Sequence, residues 1–294
     1  MILVTGGSGF IGTHLVRELC KSGEKVRNMD IRKPKEQNGE YFKGDIRKKK
    51  DCEKACEGCE SVIHLAAIAD VAASIEDPAG NFKTNAIGTV NMAEAAAKAG
   101  ARRFVYASSA AAYGPPVTLP ISETHPTAPI SPYGVSKLAG EKYVLMCPNM
   151  HKIEAVALRF FNVYGQGQDP KSSYSGVITK FADAIKAGKP ITIFGNGLQT
   201  RDFVHVTDVV RATMLAIRVQ GCAGKAINIG CGKAITIGEI AKKMIEASGK
   251  KIDISYEPGR SGDIEKSVAE ISLAKSCLGF EPRVKIEQGL AGLL

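Results

Sequence analysis

Tyr133 and Lys137 stand one helical turn apart in SPYGVSK, residues 131–137, directly behind a Ser-Pro pair. At i and i+4 on a helix their side chains share one face. A tyrosine with the ordinary pKa near 10 is a poor base at neutral pH, whereas a neighbouring ammonium favours its phenolate. Such a pair can take a proton from a hydroxyl. Taken singly, each residue is ordinary structure, a helix aromatic and a surface charge. What they do depends on what the chain builds around them.

A second chemical signature lies at the start. TGGSGFIG follows an apolar strand and opens a helix, with Gly6, Gly7, Gly9 and Gly12 where a chain must turn tightly and let a pyrophosphate approach its backbone. The helix N-terminus adds N–H donors and the positive end of a dipole. Eighteen residues past Gly12, the second strand ends in Asp30, whose carboxylate can accept both adenosine ribose hydroxyls. A 2′-phosphate would meet it as a like charge, so NAD is expected over NADP, with Arg32 working against that preference.

The elements that must position these residues alternate. Residues 1–6, 25–30, 61–66, 102–108 and 154–160 read as strands, and 13–23, 47–56, 85–100 and 134–147 as helices. The alternation predicts an α/β fold with a doubly wound parallel sheet of the Rossmann type, binding ligands beyond the carboxyl ends of its strands. After Gly165 the rhythm loosens into a helix over 177–188, a strand over 190–195, the segment 203–217, a helix over 237–249 and the Gly/Pro-rich YEPGRSGD. We expect a dinucleotide-binding domain over 1–165, receiving about 203–232 as well. A smaller α+β substrate lobe is expected from 166–202 and 233–294.

Composition narrows the class. The 294 residues, 44% hydrophobic and 23% charged, are ordinary for a globular protein, and no apolar run approaches the roughly 20 residues of a membrane span. MILVTGG shows no signal-peptide pattern, so a cytoplasmic protein is expected. The net charge of +9 is dispersed, and its one compact run, Arg47 to Lys50, reads as a solvated helix start; the charge is compatible with small anionic ligands and decides nothing alone, and no nucleic-acid partner is expected. Cys52, Cys56 and Cys59 have a spacing that could hold an iron–sulfur cluster. DCEKACEGCES reads instead as a short helix with small packed thiols, and no metal is expected.

With TGGSGFIG, Asp30, HLAA at 64–67, SSAAAYG at 108–114, YGVSK at 133–137 and RFFNVYG at 159–165 in this order, the chain resembles the extended short-chain dehydrogenase/reductases. GNGLQTRDFVHVTDV and GRSGDIEKSVAEIS look like the nucleotide-sugar epimerase branch, the UDP-glucose and UDP-N-acetylglucosamine 4-epimerases. The resemblance implies that Lys137 also reaches the nicotinamide ribose, that Tyr133 is the base and that Ser109 hydrogen-bonds the same sugar hydroxyl and relays its proton. It implies cofactor contacts from Gly6, Gly9, Phe10, Ile11, Gly12, Asp30, Asp45, Ile46, Ala66 and Ala67, besides Tyr133 and Lys137. For the UDP-sugar it implies Asn162, Arg201 and Arg260 at the diphosphate, Asp263 at the nucleotide ribose and Ser267 beside the sugar's C2 substituent.

Two departures narrow the chemistry. Where 4,6-dehydratases resemble one another in an Asp-Glu pair after the Ser109 position, this chain has Ala110 and Ala111, and the Glu usual in UDP-glucuronate decarboxylases is missing as well. Methyl groups move no protons. The expectation is NAD-dependent 4-epimerisation of UDP-glucose and UDP-galactose, and, because Ser267 is small, of their N-acetylated counterparts. A 4-ketosugar reductase or dehydrogenase is the second enzyme reading, and a non-catalytic dinucleotide sensor the reading from another class. The family also implies a homodimer through the helices around Asn85–Lys98 and Tyr133. Ending at EQGLAGLL, earlier than many relatives, the sequence is expected to have a short last helix.

Overall fold

The computed structural model describes residues 1–169, 176–259 and 262–294. Its first half holds strands β1 (Ile2–Thr5), β2 (Val26–Asp30), β3 (Glu40–Lys43), β4 (Ser61–His64), β5 (Arg103–Ser109) and β6 (Glu154–Phe160). Between them lie helices α1 (Phe10–Lys21), α2 (Lys49–Cys56), α3 (Val71–Glu76), α4 (Pro78–Phe82), α5 (Gly88–Lys98) and α6 (Pro132–His151). There follow β7 (Asn162–Tyr164), α7 (Val177–Lys186), β8 (Ile191–Phe194), β9 (Thr200–His205), α8 (Val206–Arg218), β10 (Ala226–Ile229), β11 (Ala234–Thr236), α9 (Ile237–Ser248), β12 (Ile254–Glu257), α10 (Ser272–Leu278) and α11 (Ile286–Ala291).

Seven strands form one wholly parallel sheet in the order β3-β2-β1-β4-β5-β6-β10. The doubly wound α/β fold follows from strands that are apolar on both faces, because the period-two alternation sends neighbours to opposite layers. On β1, Ile2 and Val4 join Leu15, Val16 and Leu19 of α1 and Val209, Val210 and Ala216 of α8 on one face. Leu3 faces the other layer, with Cys52 and Cys56 of α2, Met92 and Ala96 of α5 and Val144 of α6. Those thiols and Cys59 are thus core residues, with burial pushing Cys52 and Cys56 up to about 12. Lys48, Lys49 and Lys50 are exposed around the start of α2.

Chain order reverses between β1 and β4, the switch point of such sheets, and the carboxyl ends of these strands set out the ligand crevice. The second half contributes α8 and β10 to the large sheet. Strand β9 pairs instead with β7 and β11 in a three-stranded sheet, and β8 pairs with β12. A separate apolar cluster of Ile178, Phe181, Ile191, Ile193, Ile240 and Met244 packs α7 and α9 on these strands. Helix α9 starts on a Thr236/Glu239 capping box and stops at left-handed Gly249, both readable local signals.

The helix expected over 85–100 is not uniform. A π turn, Lys83–Ile87, separates α4 from α5, and Asn85 in it is drawn inward by hydrogen bonds to the backbone of Ile68 and to Asn81 and Ser136. Such wide turns recur at functional sites. Among the described residues, no helix is long and apolar enough to cross a membrane.

Candidate active site

The glycine loop folds hard against the end of β4. Gly6 adopts φ +70°, and a Cβ there would lie 2.7 Å from the Ala66 nitrogen; at Gly12 it would lie 2.1 Å from the Gly6 carbonyl oxygen. Both contacts are with backbone that has no room to yield. Around Gly9 the only near atom is the Gly6 oxygen, at 3.1 Å, so this backbone stays approachable. Gly9 caps α1 without a side-chain hydrogen bond, and the first turn holds no acidic residue, which leaves its N–H groups and dipole for an anion. Phe10 stands edge-on to His14 at 5.9 Å, and Ile11 packs against the core. The cradle fits the pyrophosphate of a dinucleotide.

Asp30, at the end of β2, is buried, with one oxygen accepting from the Ser8 N–H at 3.0 Å and the other from the Arg32 N–H at 2.9 Å. Those bonds orient it at the loop's mouth, while Arg32 itself is exposed. Ala66 and Ala67 are half-buried where β4 ends, and Thr5 Oγ1 accepts from the Ala66 N–H. Asp45 is engaged by Arg47, which grips both its oxygens and holds its carboxyl below the usual range. Ile46 is buried against Gly88.

Ser109 ends β5 and Tyr133 lies in the first turn of α6, which is set by Pro132 and by Ser131 Oγ accepting from the Gly134 N–H at 3.1 Å. The Tyr133 N–H donates to Ser74 Oγ at 3.1 Å, tying α6 to α3. Ser109 accepts from the Ala111 N–H at 3.1 Å, and its side chain stands close enough to the Tyr133 hydroxyl to lower that group's pKa. Lys137 follows one turn later, 3% exposed, its Nζ 4.4 Å from the centre of the Tyr106 ring. The three residues expected to do the chemistry converge at the carboxyl end of the sheet.

In the nucleotide-free protein burial pushes the Tyr133 pKa up, and Ser109 opposes the shift. Burial also draws Lys137 down to about 7, against the pull of Glu141.

Several supporting residues went unread in the sequence. Thr5 Oγ1 and Thr89 Oγ1 bracket His64 at 2.6 and 3.0 Å, and burial holds that imidazole neutral, with a pKa of about 3. Ser136 donates to Asn81 Oδ1 at 2.8 Å beneath Tyr133. Asn81 and Asn85, four apart, carried the one local signal for this group. Glu141 and Arg159 meet as a buried bidentate pair.

On the substrate side, Asn162 is exposed at the start of β7. Arg201 on β9 pairs with Asp263 at 2.5 Å, so these two residues, expected at different parts of a nucleotide, are in contact with each other. Burial lowers the Arg201 pKa and Asp263 opposes the shift. Ser267 is buried beside β9, its N–H donating to the Thr200 carbonyl at 3.2 Å. Arg260 lies outside the described residues.

A family model described as the NAD dependent epimerase/dehydratase family matches residues 2–230. A UDP-glucose 4-epimerase of Mycolicibacterium smegmatis is 36% identical over 98% of this chain and 96% of its own length. Among solved structures, UDP-glucose 4-epimerase from Thermotoga maritima with UDP-glucose superposes with a TM-score of 0.95 at 37% identity, covering 99% of this chain and 96% of that one. UDP-N-acetylglucosamine 4-epimerase from Methanobrevibacter ruminantium, in complex with UDP-N-acetylmuramic acid, gives 0.93 at 32% identity, with coverage of 99% and 96%. A dinucleotide cradle at one end of the crevice and a Ser-Tyr-Lys group at the other, on a match spanning most of the chain, lead to one assignment: the chain belongs to the NAD-dependent epimerase/dehydratase family.

Proposed function

We propose that this chain is an NAD-dependent UDP-hexose 4-epimerase. The observation that carries the reading is the convergence of Ser109, at the end of β5, with Tyr133 and Lys137 on the first turns of α6, and only methyl groups on the neighbouring Ala110–Ala112 turn. Bound NAD supplies reversible two-electron oxidation at a sugar carbon. Gly9 and the start of α1 hold its pyrophosphate, and Asp30 accepts from its adenosine ribose and repels a 2′-phosphate, favouring NAD over NADP.

Tyr133 takes the proton of the sugar's 4-hydroxyl, directly or through Ser109, and later returns it. Without a proton-carrying side chain at Ala110 or Ala111, elimination at C5 and C6 has no acid or base. Asn162, Arg201 and Arg260 anchor the diphosphate while the sugar turns about it, which requires the Arg201–Asp263 pair to open as the anion and nucleotide ribose arrive. Ser267 leaves room for an N-acetyl group, a reading supported by the similarity to the Methanobrevibacter enzyme.

The larger sheet with α8 and β10 serves the dinucleotide, and the lobe of α7, α9 and the short sheets serves the nucleotide sugar. Phe82, Ile87, Val135, Met146 and Met150, all exposed on α4, the π turn and α6, support a homodimer through this face. The setting is the cytoplasm. Mass spectrometry of the nucleotide released from purified protein tests the cofactor assignment, where NAD is expected and NADP would contradict it. Tyr133→Phe is expected to retain that nucleotide and lose epimerisation; retained turnover would exclude Tyr133 as the base.

A further inference from the structure

The glycine loop is fastened to β2 at three successive residues. The Gly6 N–H donates to the Met29 carbonyl at 2.8 Å, the Ser8 N–H donates to Asp30 Oδ2 at 3.0 Å, and Asn28 Nδ2 donates to Ser8 Oγ at 3.2 Å. Asn28 and Asp30, two apart on a strand, share one face and hold Ser8 at two points, its hydroxyl and its N–H. Ser8 is the one residue between Gly6 and Gly9 that has a side chain to hold. With Ser8 in place, Asp30 has an N–H donor on each oxygen, Ser8 on one and Arg32 on the other.

Stability does not account for an amide at this position. Asn28 is 1% exposed, and Val26, on the same face of β2, packs with Leu15 and Val16 of α1 in the apolar core. The amide is pressed onto Gly7, where a Cβ would fall 2.3 Å from Asn28 Oδ1 and 3.1 Å from Val16 Cγ2. Among the described residues that buried Oδ1 accepts no hydrogen bond. Turned over, the amide would still bond Ser8, by accepting from its hydroxyl, and would press its NH2 onto Gly7 instead. A buried amide with one end unpaired lowers stability, and an apolar side chain of the same shape would fill the space without that loss. What the amide adds is the bond to Ser8. We propose that Asn28 is a positioning residue of the dinucleotide site: by holding Ser8 it fixes the glycine loop, which takes the pyrophosphate, relative to Asp30, which takes the adenosine ribose. The inference concerns the NAD site and rests on no choice of sugar.

The experiment compares binding of NAD and of ADP-ribose by the full chain freed of nucleotide. ADP-ribose has the pyrophosphate and the adenosine ribose without the nicotinamide, so it isolates the half of the cofactor that meets the loop and Asp30. Asn28→Leu keeps the shape and removes the amide, and is expected to raise both dissociation constants about fivefold, the equivalent of about 1 kcal/mol for one hydrogen bond. The urea midpoint of the nucleotide-free variant is expected to hold or rise. In amide exchange followed by nuclear magnetic resonance, the Ser8 N–H is expected to exchange faster than in the wild type, and the Gly6 N–H at the wild-type rate. Ser8→Ala removes the same bond from its other end, at a half-buried residue, and in that background Asn28→Leu is expected to cost no further affinity. Wild-type affinity in Ser8→Ala or in folded Asn28→Leu overturns the proposal, as do additive losses in the double variant or a loss for NAD that ADP-ribose does not share. A urea midpoint that falls in step with affinity, with Ser8 exchange unchanged, marks Asn28 as core structure and overturns it too. A wild-type chain that binds neither ligand overturns the cofactor assignment and the proposal with it.

Discussion

Replacing Lys137 by methionine keeps most of the stem's volume and removes a charge that the fold holds at 3% exposure. Burial takes this amine from 10.5 to about 7. A folded-state pKa below the unfolded one means that the unfolded chain binds more protons between these values, so the penalty is complete below about pH 7 and fades as pH rises towards 10.5. At about 1.4 kcal/mol per unit, the cation costs the nucleotide-free protein on the order of 4 kcal/mol at pH 7 and about 1 kcal/mol at pH 9.5. Lys137→Met should therefore raise the urea midpoint of the nucleotide-free protein at pH 7, and the gap should narrow at pH 9.5. Far-ultraviolet circular dichroism at the two pH values reads both. A variant that is no more stable than wild type at pH 7, or a gap that widens with pH, would refute the buried-cation argument. The same substitution is expected to abolish epimerisation, so that stability and activity move in opposite directions at one residue.

Gly12→Ala drives a Cβ to 2.1 Å from the Gly6 oxygen and 2.6 Å from the Gly7 Cα, and should weaken NAD retention by about tenfold or more, the equivalent of 1 to 3 kcal/mol of overpacking, read as nucleotide bound per chain. Cys52 and Cys56 should resist an aromatic disulfide reagent at pH 8 in the native protein and react once it is unfolded, because burial keeps them as thiols; peptide mapping after brief exposure checks this, and early labelling of either would contradict their place in the core. Ser267→Tyr should remove activity on UDP-GlcNAc and UDP-GalNAc while sparing UDP-glucose and UDP-galactose. Equal loss on both pairs would show that Ser267 does not gate the C2 side.

The parallel sheet was legible because β1, β4, β5 and β6 are largely apolar runs, bounded by turn residues and alternating with helical segments. Leu3 parting from Ile2 and Val4 is that pattern in space. Strand β3 escaped notice because EYFK is an edge strand with no fully buried residue, and β7 and β11 because three residues carry no period. The spacing of Tyr133 and Lys137 and the glycine loop are local signals, whereas the approach of Ser109 to Tyr133 depends on β5 and α6 meeting. The Arg201–Asp263 contact, 62 residues apart, and the Glu141–Arg159 clamp arise from packing alone. So does the rise in the Tyr133 pKa, which comes from burial that a linear sequence does not display.

The central claim is reversible oxidation and proton return at one sugar carbon, with the cofactor regenerated in place. Purified protein incubated with UDP-galactose and no added nucleotide should yield UDP-glucose over many turnovers per chain, and the same incubation with Tyr133→Phe should yield none. Product limited to one equivalent per chain, or dependent on continuous supply of NAD or NADPH, would contradict the account.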